Sequence, residues 1–156
     1  MRLSEFVVRE SILPQMDAAN KEGVIRAMVA SLHAAGQFPG ADLDDIVRAV
    51  LKREELGSTG IGRGVAIPHA KHPCAQRLTG TIAVAPGGVD FKSIDGDKAF
   101  VFVLLVSPQD RPGDHLRALE NVSRCLRDDN FVKSLRQSRT REEISRLLDQ
   151  LERSGS

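Results

Sequence analysis

The chain has 156 residues, of which 41% are hydrophobic and 28% are charged, and these values predict one soluble globular domain that buries its own core. Its 22 Lys and Arg residues nearly balance its 21 Asp and Glu residues, so charge gives no reason to expect a nucleic acid or an anionic membrane as a partner. The absence of Trp and Tyr leaves few rings for the stacking platforms of single-stranded nucleic acid sites.

The first part of the chain predicts an extended segment and a helix. Residues 11–17 favour a short strand or an extended entry into the domain. A helix is expected from about residue 19 to residue 35, with Gly36 as its C-terminal stop. Its apolar residues share one helical face: Val24, Ile25, Met28, Val29 and Leu32.

A second helix is expected from Asp42, whose side chain can cap the free N–H groups of the first turn, to about Glu55. Its apolar residues follow the helical spacing: Leu43, Ile46, Val47, Val50 and Leu51. This helix leaves Arg53 in its last turn, next to a glycine-rich segment.

The second half of the chain predicts two strands and two further helices. Residues 79–87 and 99–108 favour strands, and the second is apolar on both faces, as is typical of a central strand covered by helices on both sides. A third helix begins near residues 112–114, and its expected buried stripe is Leu116, Leu119, Val122, Cys125 and Leu126. A fourth begins at Thr140, which forms a capping-box pattern with Glu143. The order of elements predicts a single α/β domain over residues 1–156, with a core from about 3 to 151 and helices covering a sheet.

Two features indicate a cytoplasmic protein with no membrane insertion. The N-terminal segment has acidic and polar residues where a signal peptide would be apolar, and the longest apolar run, residues 99–106, is too short to cross a bilayer. Cys74 and Cys125 form neither a CxxC pair nor a zinc spacing, which is typical of reduced thiols.

The glycine-rich segment at residues 57–73 reads GSTGIGRGVAIPHAKHP, and three functions compete for it. A nucleotide loop is disfavoured because the glycines do not follow G-x-G-x-x-G, the segment follows a helix where the fingerprint needs a strand, and no GKS or GKT is present. A metal site could use His69, His72 and Cys74, with His115 joining them. Their spacing lacks the paired ligands of zinc sites, however, and Pro68 argues against a helix that presents both nearby histidines.

The third possibility is a histidine that carries a phosphoryl group. Imidazole is a competent nucleophile at neutral pH, and phosphoryl transfer mainly requires correct position and donors around the phosphoryl oxygens. Backbone N–H groups at glycines, hydroxyls, a guanidinium and a helix N-terminus can all bind an anion. The residues that offer them are Gly60, Ser58, Thr59, Arg53 and His115. The pattern alone leaves the three functions open.

Residues 51–71, LKREELGSTGIGRGVAIPHAK, closely resemble the active-site segment of enzyme IIA of the bacterial phosphotransferase system. The similarity is to the fructose/mannitol class, type 2, and especially to its nitrogen-regulatory branch. Residues 113–136 resemble the H-L-x-x-L helix of that family and the segment after it, and the order of motifs agrees from about residue 3 to residue 151. The resemblance implies a mixed β-sheet between helices, a phosphotransferase component, and no metal, nucleotide or other cofactor.

The resemblance also implies roles for individual residues. It implies that His69 is phosphorylated, that His115 donates to the phosphoryl group, and that Arg53 is the nearby cation. The implied donor is a small phosphocarrier protein, HPr or NPr, which enzyme I charges from phosphoenolpyruvate. We further hypothesise that Arg63 contacts the donor or the phosphate.

Two outcomes of phosphorylation remain open at the level of sequence. The protein can act as a regulatory switch whose two charge states bind different target proteins. Alternatively, it can pass phosphate to a fructose- or mannitol-type IIB partner in sugar transport. The similarity to the nitrogen-regulatory branch favours the switch. A degenerate member that serves only as an interaction module is disfavoured because both histidines and Arg53 are present.

Overall fold

The computed structural model describes residues 2–153, in which six helices and five strands are arranged as follows. The helices are α1 (Leu3–Phe6), α2 (Lys21–Ala34), α3 (Leu43–Glu55), α4 (Pro112–Leu126), α5 (Asp129–Gln137) and α6 (Arg141–Arg153). The strands are β1 (Gly60–Gly62), β2 (Val65–Ala66), β3 (His69–Lys71), β4 (Thr79–Val89) and β5 (Ala99–Ser107). A single 3₁₀ turn, Arg9–Ser11, follows α1.

Strand β5 organises a mixed sheet. Strand β4 pairs with it antiparallel along one side, and β2 and β3 follow one another in parallel along the other side. Strand β1 extends the sheet by pairing antiparallel with β2. The position of β5 between two sets of partners confirms the central strand that its apolar composition predicted.

The two faces of β5 belong to two separate hydrophobic cores. Because successive side chains alternate between the faces of a strand, Val101, Val103 and Leu105 pack with α4, α5 and α6, whereas the even-numbered residues 102–106 pack with α2 and α3. Helices therefore cover both sides of the sheet, which confirms the predicted fold class.

Side-chain caps mark the starts of helices α2 and α3, and a glycine motif marks the end of α2. The side chain of Asn20 accepts a hydrogen bond from the N–H of Gly23 (2.8 Å) at the start of α2. At its end Gly36 has a φ of 93°, and the N–H groups of residues 36 and 37 bond back to the carbonyls of residues 33 and 32, which is a Schellman motif. The side chain of Asp42 caps α3 by accepting from the N–H of Asp44 (3.0 Å). Both helices lie within about two residues of their predicted bounds.

The glycine-rich segment, for which no strand was predicted, folds as a hairpin followed by a strand. Arg63 and Gly64, with φ angles of 60° and 81°, form the two-residue turn between β1 and β2. Positive φ at both central residues is the geometry of the hairpin turns that match strand twist. Helices α1 and α5 are likewise absent from the prediction, and residues 11–17 contribute only one isolated bridge, between Leu13 and Ala83.

The buried stripe of α4 differs from the predicted one at two of its five positions, Leu116 and Leu119, each of which is replaced by the residue before it. Leu116 is 58% exposed, and the buried positions are instead His115, Ala118, Val122, Cys125 and Leu126. Leu116 was expected inside because its spacing to Leu119 fits a helix, but the stripe follows the alternation of three and four residues that starts at His115. In residues 2–153, no helix combines the length and the hydropathy that crossing a membrane requires.

Candidate functional site

His69 lies on β3, whose position is set by backbone hydrogen bonds to the second half of β5. The carbonyl of Pro68 accepts from the N–H of Leu105 (3.1 Å), and the N–H of His72 donates to the carbonyl of Ser107 (3.0 Å). Proline is tolerated here because β3 is a short edge strand and Pro68 contributes only its carbonyl to the ladder. The sheet thus places His69 beside Leu105, close to the end of β5 from which the chain continues into α4.

Helices α3 and α4 bring the other two predicted residues to this point. Helix α3 packs against β3 with Arg53 in its last turn, and α4 carries His115 in its first turns. The rings of His69 and His115 have centroids 5.4 Å apart. Together with Arg53 they line a cavity of about 390 Å³. The structure therefore brings together the three residues that were predicted to act as a unit.

The hydrogen bond of His69 determines which of its ring nitrogens is free. Nδ1 lies 2.8 Å from the carbonyl oxygen of Ile67, and a carbonyl oxygen can only accept, so Nδ1 carries the proton. Nε2 then has an unshared electron pair on the opposite side of the ring. Burial lowers the pKa of His69, the hydrogen bond to Ile67 offsets part of this effect, and the positive charge of Arg53 lowers it further. The ring is therefore a neutral nucleophile at neutral pH.

His115 is buried and neutral. Its Nδ1 is hydrogen bonded to the hydroxyl of Ser107. Burial lowers its pKa to about 4, with smaller contributions from the neighbouring His69 ring and from the positive charge of Lys71. Its backbone N–H already bonds to the carbonyl of Arg111 (3.2 Å), so the ring is the part of His115 that can serve as a donor in the cavity.

Arg53 is held at the cavity without a compensating anion. Its guanidinium donates to the carbonyl of Gly57 (2.9 Å), which fixes the side chain along the end of α3. Within residues 2–153 it forms no ion pair. The full positive charge of Arg53 is therefore available to a ligand anion.

Lys71 is a cavity residue that the sequence analysis missed. It lies two positions after His69 on β3, so the two side chains share a face of the strand. Its side chain lines the cavity, and its charge lowers the pKa of both His69 and His115. The alternation of a strand would have indicated Lys71, but residues 69–71 are too short to show a period. With Arg53, it makes the cavity a site for an anion.

The predicted phosphoryl-binding residues Ser58 and Thr59 use their hydroxyls within the protein. Ser58 Oγ donates to the carbonyl of Phe91 (3.0 Å) and accepts from the N–H of Gly60 (3.0 Å). Thr59 is buried, and both its hydroxyl and its N–H donate to the carboxylate of Glu54. The described residues that line the His69 cavity do not include residues 58–60.

Glu54 and Gly60 show what this segment does in the fold. The side chain of Glu54 is 3% exposed and forms an ion pair of 2.8 Å with Lys21, in the first turn of α2. A Cβ atom at Gly60 would clash with Ser93 Oγ and lie 3.0 Å from Ser93 Cα. Residues 54–60 therefore fix the end of α3, and with it Arg53, through the ion pair to α2 and the close packing of Gly60 against Ser93.

Arg63 lies away from the cavity. Its guanidinium pairs with Asp129 on α5, and its N–H donates to Asp95 (3.0 Å). The carbonyl of the neighbouring Gly64 accepts a hydrogen bond from the N–H of Val101 on β5 (3.1 Å). His69 lies beside Leu105, four residues further along β5, which corresponds to about 13 Å along the strand. The hypothesised contact between Arg63 and a phosphate on His69 does not fit this separation.

The residues of the alternative metal site are not brought together. The ring of His72 is buried, with Nε2 2.6 Å from Asp45 Oδ2 and Nδ1 accepting from the N–H of Cys74 (3.1 Å). The residues that the structure describes contain no group of three or more His, Cys, Asp or Glu side chains that could hold a metal ion.

Comparison with known proteins gives consistent similarities over nearly the whole chain. Residues 5–151 match the family model described as phosphoenolpyruvate-dependent sugar phosphotransferase system, EIIA 2. The nitrogen regulatory protein of Bradyrhizobium diazoefficiens is 34% identical over 148 residues, which cover 95% of each chain. The fructose-specific EIIABC component of the PTS system of Bacillus subtilis is 31% identical over 150 residues, which cover 96% of this chain and 23% of that protein.

A solved structure has the same fold. The crystal structure of the nitrogen regulatory protein IIA-Ntr from Neisseria meningitidis matches with a TM-score of 0.84 at 26% identity. The match covers 94% of this chain and 98% of that chain. The arrangement of helices around the mixed sheet is therefore shared along almost the full length of both proteins.

Proposed function

This chain belongs to the EIIA 2 family of the phosphoenolpyruvate-dependent sugar phosphotransferase system, and on that premise we propose that His69 is the residue that carries its phosphoryl group. The family and the role of a phosphotransferase component agree with the prediction from sequence. The observation that carries the proposal is the tautomer of His69: its Nε2 electron pair is free while Nδ1 is bound to Ile67. Arg53 and Lys71 supply positive charge at the same cavity.

The transfer step needs no proton acceptor. Nε2 of His69 attacks the phosphorus of a phosphohistidine on the donor, the new N–P bond forms as the donor N–P bond breaks, and the electron pair of the broken bond returns to the donor ring. The ring of His69 keeps its Nδ1 proton and gains positive charge, which the Ile67 carbonyl stabilises. Arg53 and Lys71 offset the charge on the phosphoryl oxygens. In a second step of the same kind, an acceptor attacks the phosphorus on His69, and the electron pair of the broken N–P bond returns to Nε2 of His69.

His115 contributes a neutral hydrogen-bond donor. Because it is uncharged at neutral pH, it can stabilise the phosphoryl oxygens without adding a third cation to a cavity that Arg53 and Lys71 already line. Its ring lies close enough to His69, with centroids 5.4 Å apart, for a group bonded to His69 to reach it.

The donor and the purpose of phosphorylation form the second part of the proposal. We propose that HPr or NPr in the cytoplasm charges His69 and that the phosphorylated form acts as a regulatory switch. The phosphoryl group brings about 1.5 to 2 negative charges on its oxygens, which offset the positive charge that Arg53 and Lys71 create at the cavity. The similarity to the nitrogen regulatory protein of Bradyrhizobium diazoefficiens over 95% of each chain supports this function. Transfer to a fructose- or mannitol-type IIB partner is the alternative, and the similarity to the fructose-specific component of Bacillus subtilis favours it.

Phosphotransfer from purified components tests the proposal. The protein is incubated with phosphoenolpyruvate, enzyme I and either HPr or NPr, and intact mass spectrometry detects one added phosphoryl group that is acid-labile and base-stable. The His69→Gln variant should remain unlabelled, whereas His33→Gln, at an exposed histidine of α2, should label like the wild type. Label on His69→Gln, or no label on the wild type with either donor, would contradict the proposal.

A further inference from the structure

Ser107 is the last residue of β5, and its hydroxyl is directed at the second histidine of the cavity. The residue is completely buried. Among the described residues, its Oγ has one hydrogen-bond partner, Nδ1 of His115. Its backbone carbonyl accepts from the N–H of His72 (3.0 Å), so both ends of Ser107 are fixed where β5, β3 and the start of α4 meet.

The surroundings of Ser107 decide the direction of this hydrogen bond. A hydroxyl has one proton to donate, and a neutral imidazole has one nitrogen that donates and one that accepts. If Nδ1 of His115 donated to Ser107, the buried hydroxyl proton would have no acceptor, which is unfavourable. If Ser107 donates to Nδ1, the hydroxyl proton is satisfied and the proton of His115 resides on Nε2.

The two histidines of the cavity thus have opposite hydrogen-bond partners at Nδ1: an acceptor for His69 and a donor for His115. The Nδ1 of His69 meets a carbonyl, which can only accept, so its Nε2 is left with an electron pair. The Nδ1 of His115 meets a hydroxyl whose proton has no other acceptor among the described residues, so its Nε2 is left with a proton. One ring is thereby prepared as the nucleophile and the other as the donor to the group that the first ring receives.

We propose that Ser107 is a positioning residue that holds His115 in the Nε2–H tautomer, so that His115 donates a hydrogen bond to the phosphoryl group on His69. This inference rests on the proposed function for its phosphoryl contact, but the tautomer itself does not depend on it. Without the hydroxyl, His115 also adopts the Nδ1–H tautomer, in which an electron pair faces the anionic phosphoryl oxygens and repels them.

The first measurement is the ¹⁵N spectrum of the histidine rings, which distinguishes protonated from unprotonated nitrogens. In the wild type near pH 7, we expect His115 to be protonated at Nε2 and His69 at Nδ1. In Ser107→Ala, we expect a mixture of tautomers at His115 and no change at His69. Ser107→Thr keeps a hydroxyl and should restore the Nε2–H tautomer.

The second measurement is the rate of phosphotransfer from HPr or NPr. Phosphotransfer to Ser107→Ala should be slower by about 10-fold or more, because His115 then loses its hydrogen bond to the charged phosphoryl group. Ser107→Thr should recover most of the rate. Ser11→Ala is the matched control: Ser11 is also buried, and its hydroxyl bonds to Val8 and Thr81 away from the cavity. It should lose stability without losing rate.

The results separate the two proposals. A wild-type His115 protonated at Nδ1, or a Ser107→Ala variant with an unchanged tautomer and rate, would overturn the role of Ser107. A wild type that takes up no phosphoryl group would overturn the proposed function and the phosphoryl contact of His115. In that case the tautomers measured in the three proteins would still support or overturn the hydrogen bond from Ser107 to His115.

Discussion

The burial of His115 should make the folded protein less stable in mild acid. Its pKa is about 4 in the folded state, against an ordinary value of 6.5. Below pH 6.5 the unfolded chain therefore binds a proton that the native state does not bind until the pH approaches 4. The free energy of unfolding falls as the pH decreases through this window, by about 3 kcal/mol in full and by about 2 kcal/mol already at pH 5.

Urea unfolding of the wild type and of His115→Gln between pH 7 and pH 5 isolates this contribution. Glutamine keeps a polar side chain but does not titrate, so the difference in unfolding free energy between the two proteins should shift by about 2 kcal/mol against the wild type. Carboxylates that titrate in the same range contribute equally to both proteins and cancel. His33→Gln removes an exposed histidine and should follow the wild type. A difference that changes by less than about 0.5 kcal/mol would refute the reasoning.

Three substitutions, with Gly87→Ala as a control, test the segment from Glu54 to Arg63. Glu54→Ala should lower the unfolding free energy by about 3 kcal/mol, because it leaves the partly buried cation of Lys21 unpaired; a loss below about 1 kcal/mol in urea unfolding would contradict this ion pair's role. Gly60→Ala should cost about 1–3 kcal/mol by the clash with Ser93, whereas Gly87→Ala, where a Cβ meets nothing within 4 Å, should change stability by less than about 0.5 kcal/mol, and equal effects would contradict the packing. Arg63→Ala should leave the phosphotransfer rate at the wild-type value, and a rate several-fold lower would place Arg63 in the donor interface.

Local pattern predicted those parts of the fold that are long enough to show a period. Helices α2 and α3 were found from their apolar faces and from the stops and caps at Gly36 and Asp42, because these signals act within a few residues. Strands β4 and β5 were found because an apolar segment of about ten residues, bounded by turn residues, is typical of a strand buried in a sheet. Helix α4 was found with its stripe displaced by one residue at Leu116 and Leu119, since an amphipathic pattern defines a face only to within a residue.

The sequence by itself determined the family, the fold class and the three residues at the cavity, because a long, specific motif accompanies His69. Only the tertiary structure decided how the glycine-rich segment folds, since strands of two or three residues have no period. Strands β2 and β3 are held by hydrogen bonds to β5, more than thirty residues away along the chain, and β1 pairs with β2. The same long-range packing directs Ser58 and Thr59 to structural partners and brings Lys71 to the cavity. It also sets the tautomers of both histidines, because a ring proton depends on which carbonyl or hydroxyl the fold places beside each nitrogen.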